Sequence, residues 1–555
     1  MKLIQDPDKV KSLLGFVPKE RLLCPNLAHD ARHVSTPPVV ETDDGRYLLF
    51  IEEIERGSVL GAKLPPNVTP AYYAPYFSWD RPNPEVPAKI EEAIMAVTRG
   101  RPTEGDAFVT VDLALKTGVY LPDGADNPWG GRNWGLRRIK RDDVLERFER
   151  SVNIVTKLAE AALESDPEAQ SFLELFGSGK PEDRYRSLEQ RMNRQNVDLL
   201  LLTSRLNIQD VAGIPALSRG FPPIVVYAAG QQEMFVLERT ETGEGKTLSE
   251  LTSFLWDSAT GIAVEDQDMT IGQLKALGLA NRAPSLRLMS REIRTWRDEL
   301  SGLDLPYYVL AAKITTMAIK SVLDKLDDAV SKGGKWTEKE VAEHLEKEYR
   351  HFFRRLAGGF DGFVITSHLN IHAGTRTTVP SLPTDYAIGA GETSLKIDSG
   401  VFFAEKDGTI RAATDMGRTL VYGEKGRDLY ACLHDTVTKE AIPHCRHHTA
   451  SHEIYLAATR GLDALKDRLY ATGLTPQVDT YTVAYNRYVG HVVGKQRYVN
   501  TVFTRQSDYV LKTGVCGAIE IPWAFGRYGL QYEDMFVVHP DRGLNLTKYH
   551  PPMDV

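Results

Sequence analysis

Four carboxylates and one imidazole stand out in the C-terminal half of this 555-residue sequence. They are Asp398 in LKIDSG, Asp415 in AATDMGRT, His491 in VGHVVG, Glu520 in AIEIP and Glu533 in YEDMFVV. Such an oxygen-rich set with one histidine suits Mn, Co, Fe or Zn better than copper. Four carboxylates converging without a partner would repel and raise one another's proton affinity. Two divalent ions remove that cost, and a shared carboxylate holds them about 3.5–4 Å apart. Water between them would lose a proton near neutral pH and become a nucleophile. Taken singly, an Asp or Glu is usually a solvated charge and a His is usually structural. The case rests on the order, local sequence and spacing of all five.

A rigid scaffold must position them. Asp398, Glu520 and Glu533 each neighbour β-branched or aromatic residues, as strand positions do. Strand-rich sequence runs from Phe363 to the C-terminus, interrupted by helical sequence around 425–472. Two helices precede it, one over Ala311 to Val330 and one in TEKEVAEHLEKEYRHFFRRL, where Thr337 and Glu340 are placed as a capping box. Upstream, helix and strand alternate, which argues for α/β organisation. The expected division is 1–178, 179–304 and 305–555, with GSGKPED at 177–183 as a linker. The first two segments suggest a distant repeat: GRYLLFIEE with EVPAKIEEAIMAV, and QEMFVLERT with LMSREIRTWRDEL.

Composition excludes several classes. A net charge of -8 with pI near 6.0 gives no electrostatic footprint for nucleic acid. No run approaches the roughly 18 apolar residues of a membrane span. The N-terminal MKLIQDPDKVKSLLGF lacks the apolar core of a secretory signal, so a cytoplasmic location is expected. Cys24, Cys432, Cys445 and Cys516 form no CxxC pair and read as reduced thiols.

The third segment resembles the creatinase/aminopeptidase P family of pita-bread metallohydrolases. The likeness lies in Ile-Asp-Ser-Gly at Asp398 and in Asp415-Met-Gly-Arg418-Thr419. It continues in Gly490-His491-Val-Val-Gly494, in Glu520, and in Glu533-Asp534, over roughly 310–550. The resemblance implies a pita-bread catalytic domain preceded by one or two creatinase-type α/β domains. RYRSLEQRMNRQNVDLLLLTSRLNIQDVAG is similar to the start of the family's N-terminal domain. The whole layout is then similar to three-domain Xaa-Pro aminopeptidases. It further implies two divalent ions, manganese foremost, and a homodimer. Asp398 and Asp415 would bind one ion, with Asp415 shared; His491 and Glu520 would complete the shell of the second ion, and Glu533 would bridge both.

The departures from the family bear on substrate. A second histidine usually stands seven residues after the first, where this chain has Tyr498. Tyrosine can donate to an oxyanion but is no imidazolium at neutral pH. Ile521 follows Glu520 where peptidases usually have proline. Sixteen residues separate Asp398 from Asp415, an elongated hairpin. Of His368 and His372, the latter in IHAGTRT is the better match to the family's substrate-side histidine. Trp523, Phe525, Arg527 and Tyr528 are candidate core or substrate-wall residues. The cluster His444, Cys445, His447, His448 and His452 reads as a helix-connecting loop, and EHLEKEYRH lacks zincin spacing.

The expectation is a hydrolase of an amide or related C–N bond, with His372, Tyr498 and Glu520 as catalytic residues and Glu520 shuttling the proton. Tyr498 and Ile521 tilt it toward a non-peptide small molecule. An Xaa-Pro aminopeptidase or dipeptidase is the alternative, followed by a lyase or a binding scaffold on the same fold.

Overall fold

Short apolar runs between turn residues organise the N-terminal half into two six-stranded mixed sheets in the computed structural model. The structure describes residues 1–15, 36–52, 63–73, 87, 89–101, 103–177, 179–218, 220–240, 245–374, 376, 383–389, 394–472, 488–495, 501–525 and 528–548. These form two compact units, one of residues 1–149 with 181–296 and one of 150–180 with 297–555. None of the described helices is long and apolar enough to cross a membrane.

In the first unit, one sheet runs Val68–Tyr73, Tyr47–Glu52, Val39–Glu41, Lys2–Ile4, Thr103–Gly105, Val119–Tyr120. The other runs Arg287–Leu288, Ile262–Val264, Leu199–Leu202, Ile224–Ala228, Glu233–Arg239, Trp134–Lys140. Five strands of each share one topology. The first strand pairs antiparallel with a two-strand meander on one side and parallel with a later strand on the other, which is flanked by the fifth. The helix equivalent to Ile90–Thr98 is Leu248–Ser258, not LMSREIRTWRDEL as the sequence pattern suggested. The run Leu199–Leu202 is wholly buried, and its Leu199 and Leu201 belong to a core with Trp134, Val226 and Val264.

The units and the expected segments differ in two respects. Strand Trp134–Lys140, from the first segment, pairs with Glu233–Arg239 over its full length. Residues 150–180 group with the C-terminal unit, where Asp166 accepts from Lys313 at 2.9 Å and from Lys548 at 3.1 Å. Arg542 adds an ion pair to Glu168 at 2.9 Å. The crossing at 180–181 falls within GSGKPED.

The second unit opens with helix Leu305–Ser331, started by Pro306 in its first turn. Helix Glu338–Ala357 follows, with the Thr337–Glu340 capping box formed. The sheet after them runs Gly362–Ala373, Ser394–Glu405, Met416–Val421, Tyr528–Val538, Cys516–Phe525, Tyr488–Val492, Val502–Thr504. Every pairing between these described strands is antiparallel. The sixteen residues after Asp398 form the elongated hairpin, returning through Ile410–Ala413. Helices Glu424–Asp435 and Ser451–Thr472 cover one face, burying Leu429, Leu433, Ile454 and Ala458 against Ile519, Ile521 and Phe536.

The strands at Met416–Val421 and Tyr528–Val538 share one register pair, Gly417↔Glu533. Side chains complete the junction. Arg418, fully buried, pairs with Asp534 and donates to the backbone oxygens of Gly417 and Thr547, each at 2.8 Å. Its guanidinium lies 4.2 Å from the Tyr532 ring. Asn545 and Thr547 supply further donors to Asp534, at 2.7 and 2.8 Å. Removing one partner of a buried pair strands a charge and costs about 3–5 kcal/mol, whereas an exposed pair contributes about 0–1 kcal/mol. Arg418→Met should therefore lower the stability of the C-terminal unit by about 3–5 kcal/mol in urea denaturation. Glu238→Gln, which breaks the surface pair with Arg137, should cost no more than about 1 kcal/mol. Equal effects would contradict this assignment.

Candidate metal centre

Antiparallel register brings the expected ligands together. Asp398 lies opposite Gly417, Gly417 opposite Glu533, and Glu533 opposite Glu520. Directly opposed residues project to the same face of a sheet, so three carboxylates share one transverse row with a glycine in it. A Cβ on Gly417 would meet Gln531 Nε2 at 2.8 Å. Asp415 sits where the hairpin enters strand Met416–Val421. His491, opposite Ala518, falls on the Glu520 face because Ala518 is two positions from Glu520. The glycine before it permits the approach, since a Cβ on Gly490 would lie 2.2 Å from the Ala518 carbonyl oxygen.

The donor atoms are close and buried. His491 Nε2 lies 3.6 Å from Asp415 Oδ2 and 3.5 Å from Glu520 Oε1. Its Nδ1 lies 3.1 Å from the Val492 carbonyl. Donation there leaves the Nε2 lone pair toward the carboxylates. Gln531 Nε2 donates to Glu520 Oε2 at 3.3 Å and to Glu533 Oε2 at 3.1 Å. The Tyr488 hydroxyl donates to Glu520 Oε1. Glu533 is 1 % exposed, and its Oε1 is buried with no hydrogen-bond partner. A cavity among Ser367, Phe402, Thr414, Asp415, His491 and Val493 adjoins the cluster.

Burial and the charges of Asp415, Glu520 and Asp398 push the Glu533 carboxyl well above the usual range. Burial disfavours the charged form of His491, but Glu520 and Asp415 outweigh it and raise the imidazole above its ordinary value. The buried Lys396 ammonium lies 4.0 Å from Asp398 Oδ2. The imbalance of negative charge, the orphaned Glu533 oxygen and the hard donor set all fit divalent cations. Donor atoms of Asp415, His491 and Glu533 lie within 4.8 Å of one another, as do those of His368, Asp398 and Asp415.

The two histidine candidates exchange places. His368 Nε2 is 2.8 Å from Asp398 Oδ1 and 3.0 Å from Asp415 Oδ1. His372, the better sequence match, stands opposite Lys396, two residues along the strand from Asn370, which is opposite Asp398. It is buried with its Nδ1 3.8 Å from Glu338 Oε1, beside Arg376 and Thr384, which also bind Glu338. Burial lowers its proton affinity. The expectations placed on Tyr498 and on the side chains of Trp523, Phe525, Arg527 and Tyr528 lie outside the described residues. Ile521 faces the apolar core on the sheet side opposite Glu520.

Of the 444–452 cluster, Cys445 is core, and His447 Nδ1 accepts from the Thr513 amide at 3.1 Å. Asn370, which donates to Asp398 Oδ2 at 2.7 Å, was not among the expected residues, nor were Lys396, Gln531 and Tyr488. Strand alternation carries the missing signal: Lys396 and Gln531 stand two residues before Asp398 and Glu533 and share their faces.

Residues 308–540 match metallopeptidase family M24. Comparison with curated protein sequences yields no match. Among solved structures, the chain is similar to X-prolyl aminopeptidase from Caenorhabditis elegans, described as a cytosolic enzyme with a di-nuclear active site. The identity is 13%, over 98% of this chain and 86% of that one, with a TM-score of 0.59. It is also similar to the prolidase from Pyrococcus horikoshii OT3, at 16% identity, over 67% of this chain and 99% of that one, with a TM-score of 0.50. At these identities the likeness establishes a shared fold, with the pita-bread domain C-terminal.

The raised Glu533 carboxyl predicts a pH dependence for metal-stripped protein. A carboxyl that holds its proton more tightly when folded stabilises the fold below its unfolded pKa, about 4.3. That contribution is lost as pH rises through the folded value. Thermal melts of chelator-treated protein should show Tm falling with rising pH more steeply in the wild type than in Glu533→Gln. Identical slopes would contradict the repulsion among these carboxylates.

Proposed function

Residues 308–540 form a metallopeptidase family M24 domain, a metal-dependent hydrolase of the creatinase/aminopeptidase P type, and on that premise we propose that its substrate is a short peptide cleaved at an Xaa-Pro bond. Asp398, Asp415, His491, Glu520 and Glu533 hold two divalent ions in this reading. One observation carries it: the buried row of Asp398, Glu533 and Glu520, joined by Asp415 and His491, holds more negative charge than the neighbouring side chains balance. Ions bound there polarise a carbonyl and make water a nucleophile at neutral pH.

The chain's own residues do the rest. Gln531 fixes Glu520 and Glu533 by one donated bond to each. Tyr488 orients Glu520 through Oε1. Glu520 takes a proton at a carboxylate oxygen from the attacking water and passes it to the leaving nitrogen. Asn370, on the adjacent strand, and Lys396, on its own strand, hold Asp398.

Peptide chemistry is favoured because the non-peptide expectation leaned on Tyr498 and Ile521, and Ile521 faces the core rather than the carboxylates. The similarity to an X-prolyl aminopeptidase over 98% of this chain supports the Xaa-Pro version. The family resemblance supports manganese as the first metal to test, a homodimer and a cytoplasmic location. It likewise supports a catalytic domain from about residue 305 onward, preceded by two α/β domains, with strand Trp134–Lys140 counted in the second of these.

Chelator-stripped protein should be inactive on Xaa-Pro dipeptides and regain activity with manganese or cobalt. Glu520→Gln should lower kcat by about 10²–10⁴-fold. Full activity in stripped, metal-free protein would overturn the metal reading. Hydrolysis of small amides with no cleavage of Xaa-Pro peptides would overturn the substrate.

A further inference from the structure

His368 stands outside the five residues assigned above, yet it is the imidazole nearest Asp398. Its strand, Gly362–Ala373, lies beside the Asp398 strand, with Asn370 opposite Asp398. The register shifts between Thr366 and His368. Such a bulge re-aims the side chain that follows it. Here Nε2 reaches both Asp398 Oδ1, at 2.8 Å, and Asp415 Oδ1, at 3.0 Å. Donor atoms bound to one ion at about 2.0–2.2 Å lie about 3 Å apart, which is the spacing found.

The other ring nitrogen is also held. Ser367 Oγ lies 2.7 Å from His368 Nδ1. Accepting the Nδ1 proton would turn the Nε2 lone pair toward the two carboxylates, as an orienting partner does for a metal-bound histidine. Ser399 Oγ, itself bonded to Tyr349, donates to the His368 carbonyl at 2.6 Å and ties the two strands together there. The ring is only 1 % exposed.

We propose that His368 is a sixth protein ligand, completing the shell of the ion held by Asp398 and Asp415, so that each ion of the pair receives one imidazole. This rests on the dinuclear reading above. His491 then serves the ion between Asp415, Glu520 and Glu533, and Asp415 lies between two histidines, 3.0 Å from His368 Nε2 and 3.6 Å from His491 Nε2. Two imidazoles rather than one make the centre softer, which favours zinc and cobalt over magnesium and calcium.

X-ray absorption of wild-type protein loaded with zinc alone tests this without a substitution. The inference predicts an average of one imidazole per zinc. An average of one half, with two zinc ions bound, overturns His368 as a ligand and leaves the dinuclear reading intact. Failure to bind two zinc ions overturns the dinuclear reading itself. Calorimetric zinc titration of His368→Gln, with its folding checked by circular dichroism, should show one of the two sites lost. Ser367→Ala should keep both sites and weaken one by about 10–100-fold. Unchanged affinity at both sites in His368→Gln would overturn the proposal.

Discussion

Buried negative charge is the constraint on which the C-terminal unit depends. Asp398, Glu520 and Glu533 are each at most 8 % exposed, and Asp415 joins them at the hairpin end. Water cannot disperse that charge, and the nearby donors Gln531, Tyr488, Asn370 and Lys396 do not balance it. The fold holds the carboxylates in place by bonds elsewhere. Arg418 and Asp534 neutralise one another, and Arg411 pairs with Glu405 at 2.6 Å and with Asp304 at two of its nitrogens. These two buried arginines are paired with acids of the scaffold, and the carboxylates of the centre are left for cations.

Strand alternation separates the two roles. Glu533 faces the centre while Asp534, the next residue, faces Arg418. Gly417 sits in the carboxylate row while Arg418 reaches the other way. Glu520 faces the centre while Ile521 enters the core. In each pair one residue belongs to the site and its neighbour holds the strand. This gives the Asp-x-x-Arg-Thr and Glu-Asp patterns a physical meaning: the adjacent positions form a clamp across a strand junction that has one register pair.

Much of this is legible in the sequence because local patterns specify it. The capping box at Thr337, the hairpin after Asp398 and the strand placement of Asp398, Glu520 and Glu533 each follow from nearby residues. What sequence does not disclose is register. The choice between His368 and His372 turns on the strand register, which sets Asn370 opposite Asp398 and His372 opposite Lys396 and which no residue type announces. Lys396 reads as an ordinary strand residue until its face is known. The long-range pairing of Trp134–Lys140 with Glu233–Arg239 is likewise invisible to local pattern, as is the attachment of Asp166 to Lys313 and Lys548.

The N-terminal unit shows the same division between pattern and pairing. Its two sheets share strand order and direction over five strands, while the expected repeat was drawn with the wrong second helix. The central claim, though, concerns the carboxylate row. Anomalous diffraction from crystals of manganese-loaded protein, collected at the manganese edge, addresses it most directly. The account predicts two peaks sharing Asp415, one beside Asp398 and one beside His491 and Glu533. An absence of peaks within this cluster in fully loaded protein would contradict it.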